Sequence, residues 1–559
     1  MKNKLIFAIF ITLFFLPWLG LKQLHSRGEA REALVAQSML ISGNYILPKS
    51  YSDLVPSKPP MLHWLINIAA KVTGDLNEFS VRLPVALASI IFAFYFALYL
   101  QSIGYKNYFI PPLLLITSIQ WFRHSNTARV DMLLTVGTVI AILELYKWRM
   151  LNGCKSVPWL SLIGLIIAVF SKGPVGLVLP IVIFSIWSFV DNDAIKKIIL
   201  RCTLISIAVV LIGAIWYLLA YQQAGIVFID KFLYENTQRF AGTMADDPHK
   251  NSITYLYTSI IWSMLPWSLF WIVPTFVWIK NSNRISALKN NIYKVWTDSS
   301  FNKLTIIWIV TFILFYSFPE GKRDVYLLPI MPAICVFLTN YLVGTELKKL
   351  LRFNLLMSFI LWITVILLII ISSVVLVVED PFSFLSNSNK YILLAIGNFL
   401  QQNVIIVLFS LAVSFAVYRA FIKVAFGDSQ TIITNIVIKF GVVLIIVQAS
   451  FFPAVGNAIS YKNFADETKE LIKFDEKLYS YNHAFYGLGF YLMKRFYEIN
   501  PEKDPHLNFG KYYLFEKNLD DLQDDLKPGQ CLRTILRSTK PMVDPKRYVL
   551  LTEVYNCGS

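Results

Sequence analysis

Long apolar runs, broken by short polar connections, decide what this chain can fold into. They fall near 5–21, 83–100, 108–122, 132–146, 158–170, 175–190, 202–221, 258–279, 304–317, 325–343, 354–378, 398–421 and 432–453. Crossing a bilayer takes about 20 apolar residues in helical form, and hydrocarbon offers no water to an open backbone, so such runs are stable only as helices spanning a membrane. The 559 residues are 56% hydrophobic and only 15% charged, against about 25% charge in a soluble protein. The expected fold is a polytopic α-helical membrane protein with about 13 transmembrane helices, which excludes a string of soluble domains.

An odd number of spans puts the two termini on opposite sides. Lys106, Lys147, Arg149, Lys155, Lys196, Lys197, Arg201, Lys280, Arg284, Lys289, Lys294, Lys348, Lys349, Arg352, Arg419 and Lys423 all fall in connections on one side. That is the positive-inside pattern, and it predicts a cytoplasmic N-terminus and an external tail. The formal net charge of +16 is thereby a topology signal rather than a nucleic-acid signal. Met1-Lys2-Asn3-Lys4 and the run after it are followed by no small-residue cleavage site, so the first span is expected to be retained. The first external loop, 22–82, carries amphipathic stretches at 30–41 and 61–72, which predict helices lying along the membrane interface. The chain is expected to divide into a transmembrane domain, 1–453, and a small external α/β domain, 454–559. Cys531 and Cys557 lie in that tail and form a candidate disulfide if it faces an oxidising compartment. Cys154, Cys202 and Cys335 sit in or beside spans with no metal-ligand spacing. No internal repeat is evident, which weighs against transporters built from inverted repeats.

External loops in such a protein should be poor in lysine and arginine. These are not. Arg27-Gly28-Glu29-Ala30-Arg31-Glu32 follows the first span, and Lys58-Pro59-Pro60 with His63 and Trp64 follows in the same loop. Arg129-Val130-Asp131, Lys172-Gly173-Pro174, Tyr234 with Asn236, Arg239 and His249, and Lys322-Arg323-Asp324 lie in the later external connections. Charge at membrane depth costs about 2.5–3.5 kcal/mol per group and is kept for pathways and sites. Cations gathered on one face repel one another unless an anion is expected, and arginine forks and lysine point charges suit phosphate. The residues alone therefore point to an external site for an anionic lipid, with Glu29 and Asp131 as candidates for acid–base work or for positioning a cation.

These segments resemble the GT-C glycosyltransferases of the protein-mannosyltransferase type, and most closely the bacterial enzymes that move 4-amino-4-deoxy-L-arabinose from undecaprenyl phosphate to lipid A. Glu29-Ala30-Arg31 with the run from Ala36 to Pro48 is similar to that family's acidic first-loop motif. Lys58-Pro59-Pro60, Arg129 to Leu134, Lys172-Gly173-Pro174, and Arg239 with His249 and Pro266-Trp267 follow in the family's order. The resemblance implies a glycosyltransferase of the bacterial inner membrane with a polyprenyl-phosphate sugar donor and lipid A, or a similar outer-leaflet molecule, as acceptor. It implies catalytic roles for Glu29 and Asp131. Arg31, Lys58, Arg129, Lys172, Tyr234, Asn236, Arg239, His249, Lys322 and Arg323 would bind the donor phosphate or substrate. No nucleic acid, no obligatory cofactor and a monomeric state are expected.

Two departures qualify the resemblance. The family's Asp-Glu pair has Gly28 in its first position here, and Ser57 stands where relatives carry a glutamate before lysine-proline-proline. The second departure removes a metal ligand, so no metal is expected. The first favours an acceptor that is already anionic, such as a phosphate, or a shifted role for Glu29. Transfer to protein hydroxyls or another envelope glycan is the alternative within the enzyme class, and a flippase for lipid-linked sugars is the alternative outside it.

Overall fold

A computed structural model describes residues 2–49, 58–235, 251–270, 296–378, 387–422, 428–473, 475–500, 507–542 and 547–558. Its first nine helices are α1 (Lys2–Phe15), α2 (Arg27–Ser42), α3 (Met61–Thr73), α4 (Glu78–Ser102), α5 (Ile110–Ile116), α6 (Ile119–Ser125), α7 (Val130–Asn152), α8 (Trp159–Lys172) and α9 (Val175–Val190). Among the described residues six helices are long and apolar enough to cross a membrane, or seven if the pair Lys390–Gln402 and Val404–Ala416, bent by 82°, is one span. Shorter apolar helices at Lys4–Trp18, Trp159–Lys172 and Val175–Val190 occupy three further expected runs.

Two expected boundaries move. The run at 108–122 is split into α5 and α6 around Thr117 and Ser118. The connection expected from residue 222 is helical as far as Leu233, within Ile195–Leu233. Apolar residues continue past the expected end, and Gly225, at φ 58 and ψ −137, turns the chain so that helix resumes beyond it.

The two amphipathic stretches of the first loop become α2 and α3. Ser26 caps α2 by accepting the Glu29 N–H, and Gly43 ends it in the left-handed region at φ 68. Pro60 leads into α3, which Gly74 ends at φ 90. The Trp64 indole N–H donates to the Tyr45 carbonyl at 2.8 Å and its ring packs on Phe170 of α8. This ties the start of α3, and Lys58 just before it, to the end of α8.

Glycines set how α7, α8 and α9 cross. A Cβ on Gly137 would stand 2.5 Å from the Gly164 carbonyl oxygen, one on Gly164 2.6 Å from that of Gly137, and one on Gly176 2.5 Å from the Ala168 backbone. Small residues are what let helix backbones approach this closely in a membrane. The crossing lays the beginning of α7 beside the end of α8, so Asp131 meets Lys172. At the far end of α7 a polar knot ties it to the connection after α9 and to the helix that follows: Arg149 donates to Asp191 at 2.7 Å and to Asp193 at 2.6 Å, and Arg201 reaches Asp193 at 2.9 Å.

The tail forms a five-stranded mixed sheet of β1 (Leu478–Tyr481), β2 (Phe496–Ile499), β3 (Gly510–Phe515), β4 (Gln530–Arg537) and β5 (Val549–Asn556), in the order β2-β1-β3-β5-β4. β1 pairs in parallel with β2 and β3, and β5 runs antiparallel to β3 and β4. Side chains alternate between faces: Tyr513, Phe515, Val549 and Leu551 join the main core, while Tyr512, Leu514, Leu550 and Val554 build a second one. Cys531 and Cys557 are disulfide-bonded. The helix Tyr486–Leu492 docks the sheet on the first loop. Gln37 donates to the Phe490 carbonyl at 3.1 Å, and the Tyr491 hydroxyl accepts from Leu24 N–H at 2.7 Å and donates to Glu78 at 3.0 Å.

Gly164→Ala tests the glycine crossing, because even one methyl meets backbone. We expect a loss of about 1–3 kcal/mol, read as a lowered Tm of the purified protein in detergent; an unchanged Tm would show that α7 and α8 have room to part.

Candidate active site

Where the first loop meets α4 and α7, one buried ion pair fixes the frame. Arg82 of α4 donates from Nε to Glu29 Oε1 at 2.8 Å and from Nη2 to Oε2 at 2.9 Å. Its remaining N–H groups go to the carbonyls of Leu19, Lys22 and Gln23. Glu29 also accepts the Ala128 N–H at 3.0 Å, just before α7. Both side chains are sealed from solvent. Burial by itself pushes the Glu29 carboxyl up, but the charge and hydrogen bonds of Arg82, with help from Lys22 and Ala128, outweigh it and hold the group down at about 2. Glu29, expected to be catalytic, is thus a brace between helices, with its oxygens already taken.

A second carboxylate faces the cations. Glu32 Oε1 accepts from Arg31 Nη2 at 2.8 Å and stands 3.8 Å from Lys58 Nζ, while Oε2 accepts from His63 Nε2 at 2.9 Å. The Glu32 side chain is 5% exposed, beneath Arg31 at 40% and Lys58 at 30%. Burial raises the Glu32 carboxyl, and Arg31, Lys58 and His63 overcome that and hold it well below the usual range. Desolvation, then the neighbouring Arg31 charge, bring the Lys58 ammonium down to about 8, opposed by Glu32 and Asp131.

The third element is the start of α7. Asp131 accepts from Lys172 Nζ at 2.6 Å and lies 3.8 Å from Arg129 Nε. Lys172 is the last residue of α8; Gly173 (φ 80) and Pro174 then reverse the chain into α9. The Lys172 ammonium also sits 4.7 Å over the Tyr326 ring, which stacks on Tyr316 at 4.6 Å. The Arg129 guanidinium occupies the space above Gly28, where a Cβ would come within 2.5 Å of Nη1. Arg129 feels the charges of Asp131, Arg323, Glu32 and Arg31, and Lys58 those of Arg31, Glu32, Asp131 and Lys172. Arg31, Lys58, Arg129, Lys172 and Arg323 therefore form one electrostatic cluster around Glu32 and Asp131, with Glu235 also acting on Arg31: five cations to three carboxylates.

Other expected site residues lie apart. The Lys322 ammonium is buried and donates to the Pro319 carbonyl at 2.6 Å, anchoring its own turn. Tyr234 is exposed at the end of its helix with Lys231 over its ring, and the adjacent Glu235 acts on Arg31. Asn236, Arg239 and His249 fall outside the described residues. Among the described residues no three His, Cys, Asp or Glu side chains are grouped to hold a metal ion. The sequence includes Glu32 in the charged run Arg27–Glu32 without giving it a role of its own, and Arg82 is not among the expected residues. An arginine at the edge of an apolar run was the available signal for Arg82, and helical spacing four residues from Gly28 was the signal for Glu32.

Comparison with known proteins bears on the fold and the family. The family model for dolichyl-phosphate-mannose-protein mannosyltransferase matches residues 57–217. The chain is 27% identical over 373 residues to an uncharacterised protein of Aquifex aeolicus, covering 66% of this chain and 68% of that one. It is 24% identical over 361 residues to the undecaprenyl phosphate-alpha-4-amino-4-deoxy-L-arabinose arabinosyl transferase of Erwinia tasmaniensis, covering 62% and 61% respectively; the match thus spans about six-tenths of that transferase. The crystal structure of ArnT from Cupriavidus metallidurans bound to undecaprenyl phosphate superposes with a TM-score of 0.70 at 17% identity, over 98% of this chain and 97% of that one.

Glu29→Gln should destabilise the protein by about 3–5 kcal/mol, since it leaves Arg82 buried without its counter-charge. The native carboxyl is held below its unfolded value of 4.5. The pair's stabilisation is therefore full above pH 4.5 and lost as pH falls towards 2, where the unfolded chain binds the extra proton. Unfolding of wild type and Glu29→Gln at several pH values checks both; equal acid sensitivity would show that this pair carries none of it.

Proposed function

We propose that the chain is a membrane glycosyltransferase of the protein-mannosyltransferase type, a reading supported by the family match over residues 57–217 and by the fold around it, and that it moves a sugar from undecaprenyl phosphate to lipid A on the periplasmic face of a bacterial inner membrane. An amino sugar such as 4-amino-4-deoxy-L-arabinose is the proposed cargo, after the relatives' activity.

The observation carrying this reading is the excess of cations over carboxylates at the mouth formed by the first loop, α7 and α8. Arg31 and Lys58 are its more exposed members, and both approach a single oxygen position, now held by Glu32 Oε1. A phosphate ester entering there finds an arginine fork and a lysine point charge already aimed. When the bond from the sugar's anomeric carbon to the phosphate oxygen breaks, the electron pair goes to the departing polyprenyl phosphate, whose second negative charge grows against these cations. Fixed charges cost no reorganisation at that moment, and that is how such a site lowers the barrier. Lys172 and Arg129 close the circle, and Asp131 between them is placed to orient the acceptor or the sugar's amino group.

The external placement is supported by the cysteines. Cys531 and Cys557 pair, and structural disulfides persist in the periplasm rather than the cytosol. Because the helix Tyr486–Leu492 docks on α2, the sheet and the cation cluster share one side. After reduction, a membrane-impermeant maleimide should label these two cysteines in spheroplasts; labelling only after lysis would reverse the orientation.

Lys58→Ala should insert and fold normally but lose transfer by about 10²–10³-fold, the usual effect of removing one preorganised charge-stabilising donor. The measurement is the mass of lipid A from cells expressing each form. An added sugar mass of wild-type size with Lys58→Ala, or none with wild type, would overturn the assignment.

A further inference from the structure

Among the carboxylates of the cluster one differs from the rest. Glu29 is consumed by Arg82 and Ala128, and Asp131 is paired with Lys172 and Arg129. Glu32 alone has one oxygen between two accessible cations and the other on an imidazole. It also lies four residues after Gly28 on α2, so the two positions share a helix face. Gly28 offers no side chain to that face, and the Arg129 guanidinium fills the space instead. The oxygen position between Arg31 and Lys58 suits a phosphate oxygen, so in the free protein Glu32 occupies the anion subsite itself.

We propose that Glu32, backed by His63, is the general base of this transferase, released for that work when the donor phosphate takes Arg31 and Lys58 from it. This rests on the donor-phosphate reading of the cluster. The donor phosphodiester competes for both cations, since its two non-bridging oxygens match the guanidinium fork, and its hold tightens as the second negative charge grows on the departing phosphate. Losing them leaves Glu32 with His63 as its hydrogen-bond partner and only the more distant Arg129 charge, in a buried setting that favours proton uptake. An acceptor hydroxyl then gives its proton to the freed carboxylate oxygen as the hydroxyl oxygen bonds to the anomeric carbon. The bond from that carbon to the phosphate oxygen breaks, and its electron pair leaves on the polyprenyl phosphate. The proton on Glu32 returns to solvent after product leaves and the cations re-pair. The exchange makes donor arrival the event that switches the base on, and it specifies an acceptor oxygen that carries a proton: a hydroxyl rather than a fully ionised phosphate.

Glu32→Gln removes the resident charge while keeping the shape, and two measurements on the full-length protein in nanodiscs read the result. The first is titration with undecaprenyl phosphate, which does not depend on the sugar or acceptor. The second is the transfer rate from undecaprenyl phosphate 4-amino-4-deoxy-L-arabinose to purified lipid A. We expect Glu32→Gln to bind undecaprenyl phosphate at least as tightly as wild type, having lost a competing anion, while its kcat falls about 10²–10⁴-fold, the range for general-base catalysis. Glu32→Asp should recover part of kcat. Weaker binding by Glu32→Gln, or transfer at the wild-type rate, overturns the proposal and leaves the phosphate site standing. If wild type does not bind undecaprenyl phosphate, or Lys58→Ala binds it equally well, the phosphate site itself falls and this proposal falls with it.

Discussion

The buried pair of Arg82 and Glu29 is the constraint on which the rest depends. An arginine sealed at the end of a membrane helix must have every N–H satisfied, and Arg82 meets that demand with Glu29 and the carbonyls of Leu19, Lys22 and Gln23. One side chain on α4 thereby fixes the exit of α1, the first turn of α2 and, through Glu29 and Ala128 N–H, the approach to α7. Arg31 and Glu32 come one and two positions after Ala30, directly beyond that first turn, so their directions follow from the pair. Such an interaction adds little net stability compared with an apolar replacement, because desolvation offsets most of the attraction. What it does supply is a single geometry for the loop, since any other arrangement leaves a buried charge open.

Holding five cations near one another is unfavourable in itself, and the fold shows how the cost is contained. Each carboxylate is shared: Glu32 by Arg31 and Lys58, Asp131 by Lys172 and Arg129. Lys172 gains further from the face of Tyr326. The remaining positive potential is what a phosphate would neutralise. The glycine crossing of α7 and α8 matters here because the Lys172–Asp131 contact joins the ends of those helices, and a shift of the crossing would part them. Packing in the membrane and charge in the site are therefore linked through Gly137 and Gly164.

The helical membrane class, the two first-loop helices and the positions of the charged clusters were legible because each rests on a local pattern: apolar length, amphipathic spacing, or charge where charge is costly. What could not be read was direction. Glu29, Arg31 and Glu32 sit within one turn, and sequence alone does not say which carboxylate turns towards Arg82 and which towards Lys58; that depends on an arginine 53 residues after Glu29. Lys322 and Arg323 read as one pair but are divided by the backbone, one anchoring Pro319 and the other acting on Arg129. The helix reaching Leu233 was misread as loop because charge and glycine begin before it ends.

Gly28 shows how a departure from a family's pattern can be structural and chemical together. Read in sequence, it is a lost carboxylate. In the structure its missing side chain makes room for the Arg129 guanidinium, since any Cβ there would stand within 2.5 Å of Nη1. The same change removes an anion and gives the Arg129 guanidinium its room. Glu32, one helical turn away on the same face, restores one negative charge to that region. It does so deeper in the wall, where Arg31 and Lys58 cover it and where His63 meets its far oxygen. The carboxylate lost at one turn of α2 thus has a counterpart at the next, buried until the cations over it find another anion.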